Sequence, residues 1–318
     1  MDWSEFAYIS FAASPDHVCD SLMLAESLHR LGAKPETVIL YAADLGQGDS
    51  LLSSPSVPLL QEAVELYGAR VEAVEVLGSS SSTKDGEGEG KDDGTWPQSL
   101  TKLLAFNQTR YKRVLSLDSD ATLLKPMDDL FLLPTESPVA LPRAYWLTDA
   151  LSTSIMLASP SAEDFERITA RVNRGWEGEE DVDIIEALYG DSCLVIPHKP
   201  HLLLSGEMRR DSHAAYLGPE EEWDAMKVTG EARYVSFSDW PESNKTLKEE
   251  GPPKCKVTGS EGEAAGGMNC GDRDVWMALH EDFRERREVS DVKIWHVGWL
   301  PMGTMPSMLF VAYDTDYD

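Results

Sequence analysis

Positively charged side chains are scarce in this chain. Its 318 residues include 28 Lys and Arg against 56 Asp and Glu, which gives a formal net charge of −28 at pH 7. A field of that sign repels phosphate backbones and anionic lipids, so it argues against nucleic-acid partners and against membrane-surface binding. It also repels any phosphate-bearing small ligand unless cations, such as a divalent metal ion, are gathered where that ligand binds.

Cysteine is scarce as well. The four cysteines are too few for a disulfide scaffold, and none has the C-x-x-C spacing of a structural zinc site. Cys19 and Cys193 lie in apolar sequence and are predicted to be core thiols. Cys255 and Cys270 bracket a Gly/Glu-rich stretch. Their bridging depends on an oxidising compartment and on geometry, so the sequence leaves the pairing open.

Long apolar runs are missing, so the sequence shows neither a membrane span nor a signal peptide. We therefore expect any membrane attachment to depend on an anchor absent from this chain. The sequence does not indicate an oligomeric state.

Strand and helix patterns alternate in the first third of the chain. Buried strands are predicted at 6–14, 37–41 and 71–77, with helices from Asp16 to Gly32 and near 59–67 between them. This alternation predicts an α/β fold with a single Rossmann-like, mostly parallel sheet and flanking helices. Such sheets bind ligands at the carboxyl ends of their strands.

The same pattern continues beyond the first polar stretch. Strands are predicted at 113–118 and 154–158, a helix begins after Ser161, and another runs over Asp181–Leu188 and ends at Gly190.

Two polar stretches interrupt the pattern, near 79–95 and near 243–269. The first contains no apolar side chain, and the second is rich in Gly and Glu. Such segments bury too little apolar surface to offset the entropy lost on ordering. We therefore predict one domain over 1–318 with two disordered insertions.

The strand at 113–118 leads directly into Asp118-Ser119-Asp120. If this turn brings oxygens of both carboxylates together, they form a site for a hard divalent cation such as Mn²⁺ or Mg²⁺. A bare D-x-D pattern is weak evidence, because Asp181-x-Asp183 and Asp314-x-Asp316 have the same spacing and solvated turns are common. The buried strand in front of Asp118 is what favours a ligand site there.

A longer block around this turn resembles glycosyltransferase family 8, which includes glycogenin and the fungal N-acetylglucosaminyltransferases. The block comprises Leu100–Leu104, Tyr111–Asp120 and Leu123–Phe131. The fungal members are similar in five further segments: Ile196–Pro200, Gly206–Arg209, Phe237–Pro241, Arg273–Trp276 and Phe283–Arg287. The resemblance implies a GT-A fold, a retaining mechanism, a Mn²⁺-bound UDP-sugar donor, a glycan acceptor and a location in the Golgi lumen if an N-terminal anchor has been removed. Without such an anchor, the cytoplasm is expected.

The resemblance also implies roles for individual residues. Asp118 and Asp120 match the metal-binding pair, with His296 as a candidate third ligand. The catalytic candidates are Asp181, Asp183 and Lys102. The residues expected to hold the donor are Phe11, Ala12, Ala13, Ser14, His17, Lys102, Asp118, Ser119, Asp120, Ser152, Ser236, Trp240 and Lys245.

The sequence departs from the family pattern at two positions. Ser236 stands where the family has a metal-binding histidine, and Val182 replaces the glutamine of an Asp-Gln pair. Lys245 is an approximate stand-in for the lysine of a motif that is missing here.

The leading hypothesis is a hexosyltransferase that transfers N-acetylglucosamine or glucose. The alternative is a catalytically weak UDP-sugar-binding or scaffold protein that retains the fold. A nucleotidyltransferase is disfavoured, because no glycine-rich phosphate loop lies near the N-terminus.

Overall fold

A computed structural model describes residues 1–46, 56–78, 96–134, 136–147, 150–174, 179–237, 252–258 and 267–296. Its strands are β1 (Phe6–Ala12), β2 (Glu36–Ala42), β3 (Arg70–Val74), β4 (Arg113–Leu117), β5 (Ala121–Leu123), β6 (Val139–Pro142), β7 (Ile155–Ala158), β8 (Leu194–Ile196), β9 (Leu203–Leu204), β10 (Tyr234–Ser236), β11 (Lys256–Thr258) and β12 (Gly267–Asn269).

The helices are α1 (Pro15–Arg30), α2 (Ser56–Tyr67), α3 (Trp96–Thr101), α4 (Ala162–Val172), α5 (Asp181–Tyr189), α6 (His198–His201), α7 (Ala214–Leu217), α8 (Ala225–Glu231) and α9 (Gly271–His296). Short 3-10 helices occupy Trp3–Glu5, Ala43–Gly46, Lys102–Asn107, Asp128–Leu132 and Ser205–Arg209.

The main sheet has seven strands in the order β3-β2-β1-β4-β7-β6-β8. Strands β1 to β4 are parallel, and β8 is parallel to β6, whereas β7 is antiparallel to both of its neighbours. The predicted mostly parallel sheet is therefore confirmed. The reversal at β7 was not predicted. It follows from the short connection after β6, since an antiparallel return needs no crossover helix.

Both faces of the sheet are covered, and β4 shows how. Val114 packs into one core cluster with residues of α4 and α5, while Leu115 and Leu117 pack into a second cluster on the other face. Alternate side chains of a strand point to opposite faces, so a continuous apolar run suits a strand buried on both. Packing on both faces therefore holds the end of β4 in place within the sheet.

A smaller sheet has the order β5-β10-β9 and adjoins the D-x-D turn. Strand β5 begins immediately after Asp120, and its antiparallel register with β10 pairs Ala121 with Ser236. Residues more than 100 positions apart in sequence are thus neighbours beside the turn.

The N-cap of helix α1 lies two residues before Asp16, the predicted N-cap. It is Ser14, whose hydroxyl accepts a hydrogen bond from the His17 amide at 3.3 Å, and Asp16 lies in the first helical turn. The prediction of Asp16 as N-cap was wrong, because Pro15 suits the first helical position and leaves the cap to the residue before it. The helix ends at Arg30, two residues before the predicted end at Gly32, and Gly32 itself has a φ of 70°, which favours glycine.

The two polar stretches fare differently. The predicted insertion at 79–95 lies outside the described residues. Within 243–269, however, 252–258 and 267–269 are described, and they contain the antiparallel pair β11 and β12. Cys255 and Cys270 are disulfide-bonded beside this ladder. The disulfide, which the sequence did not decide, is present. It stabilises a polar segment that has few apolar side chains to pack.

Of the two remaining cysteines, Cys19 is buried, as predicted, and Cys193 is half-buried. Within the described ranges, we find no helix that is both long enough and apolar enough to cross a bilayer.

Replacing Cys255 and Cys270 together by serine should lower the free energy of unfolding by about 3 kcal/mol, because the bond closes a 15-residue loop. Urea denaturation measures the change. Reduced wild-type protein should have the same urea midpoint as the double variant. The prediction would be contradicted if oxidised wild-type protein also had that midpoint.

Candidate active site

Three hydrogen bonds to its main chain hold the D-x-D turn. The Asp118 amide donates to the Ser154 carbonyl at 3.1 Å, and the Tyr234 hydroxyl donates to the Asp118 carbonyl at 2.8 Å. The Phe237 amide donates to the Asp120 carbonyl at 3.0 Å. The main chain of the turn is therefore fixed by β7 and β10, and both carboxylate-bearing residues start from rigid positions.

Lys102 joins two carboxylates from distant parts of the chain. Its ammonium lies 2.7 Å from Oδ1 of Asp118 and 3.2 Å from Oδ2 of Asp181. The side chains of Lys102 and Asp181 are 15% and 6% exposed. Burial by itself lowers the pKa of Lys102, but the two carboxylates outweigh it and raise that pKa well above its ordinary value. Lys102 is therefore permanently cationic.

Asp181 is an ion-paired group and not simply a helix-terminal acid. Burial raises the pKa of its carboxyl, but Lys102 and hydrogen bonds from the Ser99 and Thr153 hydroxyls lower it below the usual value. The Ser99 hydroxyl also accepts from the Asp181 amide at 3.3 Å. Its place as first residue of α5 adds the favourable end of the helix dipole. Asp181 therefore stays ionised at neutral pH.

Asp183 lies outside this cluster of contacts. Its carboxylate accepts a hydrogen bond from the Glu180 amide at 2.8 Å, which completes a capping box at the start of α5. The side chain is exposed. The structure thus gives Asp183 a capping contact, and its catalytic role stays a prediction.

The predicted donor-binding loop follows the end of β1, next to β4. Phe11 and Ala12 are the last residues of β1, and Ala13 and Ser14 lead into α1. Burial lowers the pKa of His17, with a smaller opposing contribution from Asp16. Because β1 pairs with β4, this loop and the D-x-D turn lie at the same edge of the sheet.

Ser152 lies on the opposite side of β4, in the segment that leads into β7. Its amide donates to the Pro142 carbonyl at 2.9 Å, and it is buried next to Thr153. It therefore borders the residue that hydrogen-bonds to Asp181.

The remaining predicted residues are only partly described. Ser236 is fully buried in β10, across from the residue after Asp120, so the position that departs from the family pattern does adjoin the turn. His296 is the last residue of α9, and its side chain lies outside the described part. Trp240 and Lys245 lie outside the described residues altogether.

The described donors fit a divalent cation through two carboxylates. Among the described residues, no group of three or more His, Cys, Asp or Glu side chains could hold a metal ion. Mg²⁺ and similar ions, however, often bind through one or two carboxylates and complete their shell with water and substrate phosphates. Asp118 and Asp120, in a rigid turn at the edge of the sheet, fit this mode.

Sequence reasoning missed three residues of this site, namely Ser99, Thr153 and Tyr234. Ser99 lies three residues before Lys102, so a common helical face was a signal for it. Nothing in the sequence indicated the other two, because strand pairing brings them to the turn.

The structure resembles those of glycosyltransferases. The galactosyltransferase LgtC, solved in complex with donor and acceptor sugar analogues, superposes with a TM-score of 0.52 at 10% identity, covering 89% of this chain and 95% of LgtC. The bifunctional glycosyltransferase WbbM gives a TM-score of 0.54 at 12% identity over 93% of this chain and 52% of WbbM. The fold is therefore the GT-A fold of glycosyltransferases, with the D-x-D turn at its sheet edge.

Two fungal proteins named glucose N-acetyltransferase 1 are similar in sequence. The protein from Gibberella zeae is 39% identical over 301 residues, which cover 91% of this chain and 63% of that protein. The protein from Aspergillus fumigatus is 37% identical over 309 residues, which cover 91% of this chain and 78% of that protein. No family model matches the chain. The chain belongs to the glucose N-acetyltransferase 1 family.

Replacing Lys102 by methionine should lower the free energy of unfolding by about 3–5 kcal/mol at pH 7, because Asp181 is left buried without its cation. In the wild type, the stability that Asp181 contributes is fully present above the ordinary pKa of an aspartate. It is lost as the pH falls through the lowered pKa of Asp181 in the folded protein. In the variant, burial raises that pKa, so the deficit should shrink as the pH falls towards 4. Urea denaturation between pH 4 and 8 measures it.

The matched control adds Asp181→Asn to the same chain. The double variant should recover most of the stability at pH 7 and lose the pH dependence of the deficit. A single variant as stable as wild type at pH 7 would rule out the buried ion pair.

Proposed function

We propose that this chain is a retaining glycosyltransferase that moves N-acetylglucosamine or glucose from a UDP-sugar to a glycan acceptor, with Mn²⁺ or Mg²⁺ as cofactor. The observation that carries the proposal is the Lys102–Asp118–Asp181 cluster at the D-x-D turn. The GT-A fold and the family membership support the same class of chemistry.

The charge at the site supports the metal requirement. Two carboxylates, Asp118 and Asp181, pair with Lys102, and Asp120 adds a third negative charge two residues after Asp118 in the same turn. A nucleotide diphosphate does not bind to such a net negative site, in a chain of net charge −28, without further positive charge. A divalent ion held by Asp118 and Asp120 would supply that charge and stabilise the diphosphate leaving group as a Lewis acid.

The protein side chains have distinct tasks in this proposal. Lys102 keeps the carboxylate of Asp118 oriented and adds its fixed positive charge beside the diphosphate. The ionised carboxylate of Asp181 holds Lys102 through a second contact and would be the acid that contacts the donor sugar. The loop at 11–14, together with His17, holds the uridine at the end of β1.

The alternative is a catalytically weak protein that binds a UDP-sugar or acts as a scaffold. Val182 stands where the family has a glutamine, so its side chain has no amide group to bind a donor sugar. It is half-buried and packs against the core instead. Ser236 is fully buried and is a poorer metal ligand than histidine. Both observations favour weaker metal and sugar binding than in the family pattern.

We also propose that the protein works in the Golgi lumen, attached through an anchor outside this chain. The Cys255–Cys270 disulfide supports this location over the cytoplasm, because such bonds persist in oxidising compartments.

Incubation with Mn²⁺, a panel of UDP-sugars and mannosyl or glucosyl acceptors should release UDP. Asp120→Asn should reduce the rate at least a hundredfold, because the diphosphate loses a metal ligand as its charge develops. Asp191→Asn, which changes an exposed acid, should leave the rate unchanged. Removal of the metal with EDTA should abolish release.

Calorimetric titration with UDP and Mn²⁺ separates the two hypotheses. Binding without turnover across the panel would favour the weak binder, and Ser236→His should then tighten metal binding. If neither binding nor turnover is seen, both hypotheses fail.

A further inference from the structure

A surface cavity of about 340 Å³ lies beside the Cys255–Cys270 disulfide, and Cys255 is among its lining residues. Met208 and Arg209 line one wall, and the segment from Pro252 to Lys256 lines the other. Met208 is buried in the same apolar cluster as Phe237, whose amide holds Asp120. The cavity therefore shares its supporting core with the D-x-D turn but contains none of its residues.

The lining is cationic, against the trend of the whole chain. Arg209, Lys254 and Lys256 contribute three positive charges against two acids, Asp211 in the lining and Asp272 at 2.8 Å from Lys256, which leaves a net local charge of +1. A local excess of cations in a chain of net charge −28 concentrates anions at that place. The nearby Glu207 does not cancel it, since its buried carboxylate is engaged by His213 at 3.0 Å and Arg210 at 3.4 Å.

The wall that carries the two lysines is held rigidly. Cys255 lies between them and is bonded to Cys270 at the start of α9, and two prolines precede Lys254. Lys256 is anchored by Asp272 at 2.8 Å. Because prolines and the disulfide restrict this segment, little entropy is lost when it binds a ligand.

Arg209 is oriented by an aromatic ring. Its guanidinium lies over the indole of Trp276, 4.9 Å from the ring centroid. Stacking uses the face of the guanidinium plane, whereas its N–H donors lie in that plane and match phosphate geometry. An oriented arginine opposite lysines is a common arrangement for recognising tetrahedral oxyanions.

We infer that this cavity binds a phosphate group, through Arg209, Lys254 and Lys256. The group is either inorganic phosphate or the phosphate ester of a sugar, and both present the same oxyanion. The inference does not depend on the proposed transferase activity, since it concerns binding at a cavity outside the D-x-D turn.

Titration of the full chain with inorganic phosphate, with a hexose 6-phosphate and with the neutral hexose tests it. EDTA is included, so that no metal recruits phosphate to the D-x-D turn, and the ionic strength is fixed. Both phosphates should bind and the neutral hexose should not. Tighter binding of the hexose phosphate would identify a sugar-borne phosphate as the ligand, and equal affinities would identify inorganic phosphate.

Lys254→Gln should weaken phosphate binding about tenfold, since one charge-assisted contact is lost from an exposed side chain. Lys227→Gln removes the same charge from the exposed surface of α8 and is the matched control. Reduction of the Cys255–Cys270 bond should also weaken binding, because it loosens the wall with the lysines. Absence of binding by wild type, or equal losses in the two lysine variants, would overturn the inference.

Discussion

The buried contact between Lys102 and two carboxylates is the interaction on which the site depends. It joins the segment after α3, the end of β4 and the start of α5, which are far apart in sequence. Each partner is costly to bury alone, so the three groups are stable only together. The same contact fixes the direction of the Asp118 side chain. It therefore determines where the Asp118 carboxylate oxygens lie relative to a cation at the turn.

The acidic composition sets the second constraint. A chain with twice as many acidic as basic residues binds phosphate-bearing ligands only where positive charge is concentrated. The cavity beside the disulfide is one such place, with a small local excess of cations. At the D-x-D turn, by contrast, Lys102 is paired with two carboxylates, so a phosphate-bearing ligand there would need further positive charge.

The departures from the family pattern acquire a physical meaning in the fold. Ser236 pairs opposite Ala121, so the position that departs from the family pattern adjoins the D-x-D turn directly. Val182 is half-buried and packs against the core. Both side chains are accommodated in the packed structure, so these departures leave the sheet intact.

Local patterns in the sequence were sufficient to predict the α/β class, five of the seven strands of the main sheet and the D-x-D turn, because apolar periodicity and a buried strand before two acids are local signals. Which acid pairs with Lys102 depends on the folded chain, since Asp181 and Asp183 are alike in sequence. Two positions along a helix differ in direction by about 200°, so one side chain contacts the buried lysine and the other caps its own helix. The antiparallel β7, Tyr234 over the turn and the Cys255–Cys270 bond likewise depend on contacts between distant segments, which local patterns do not encode.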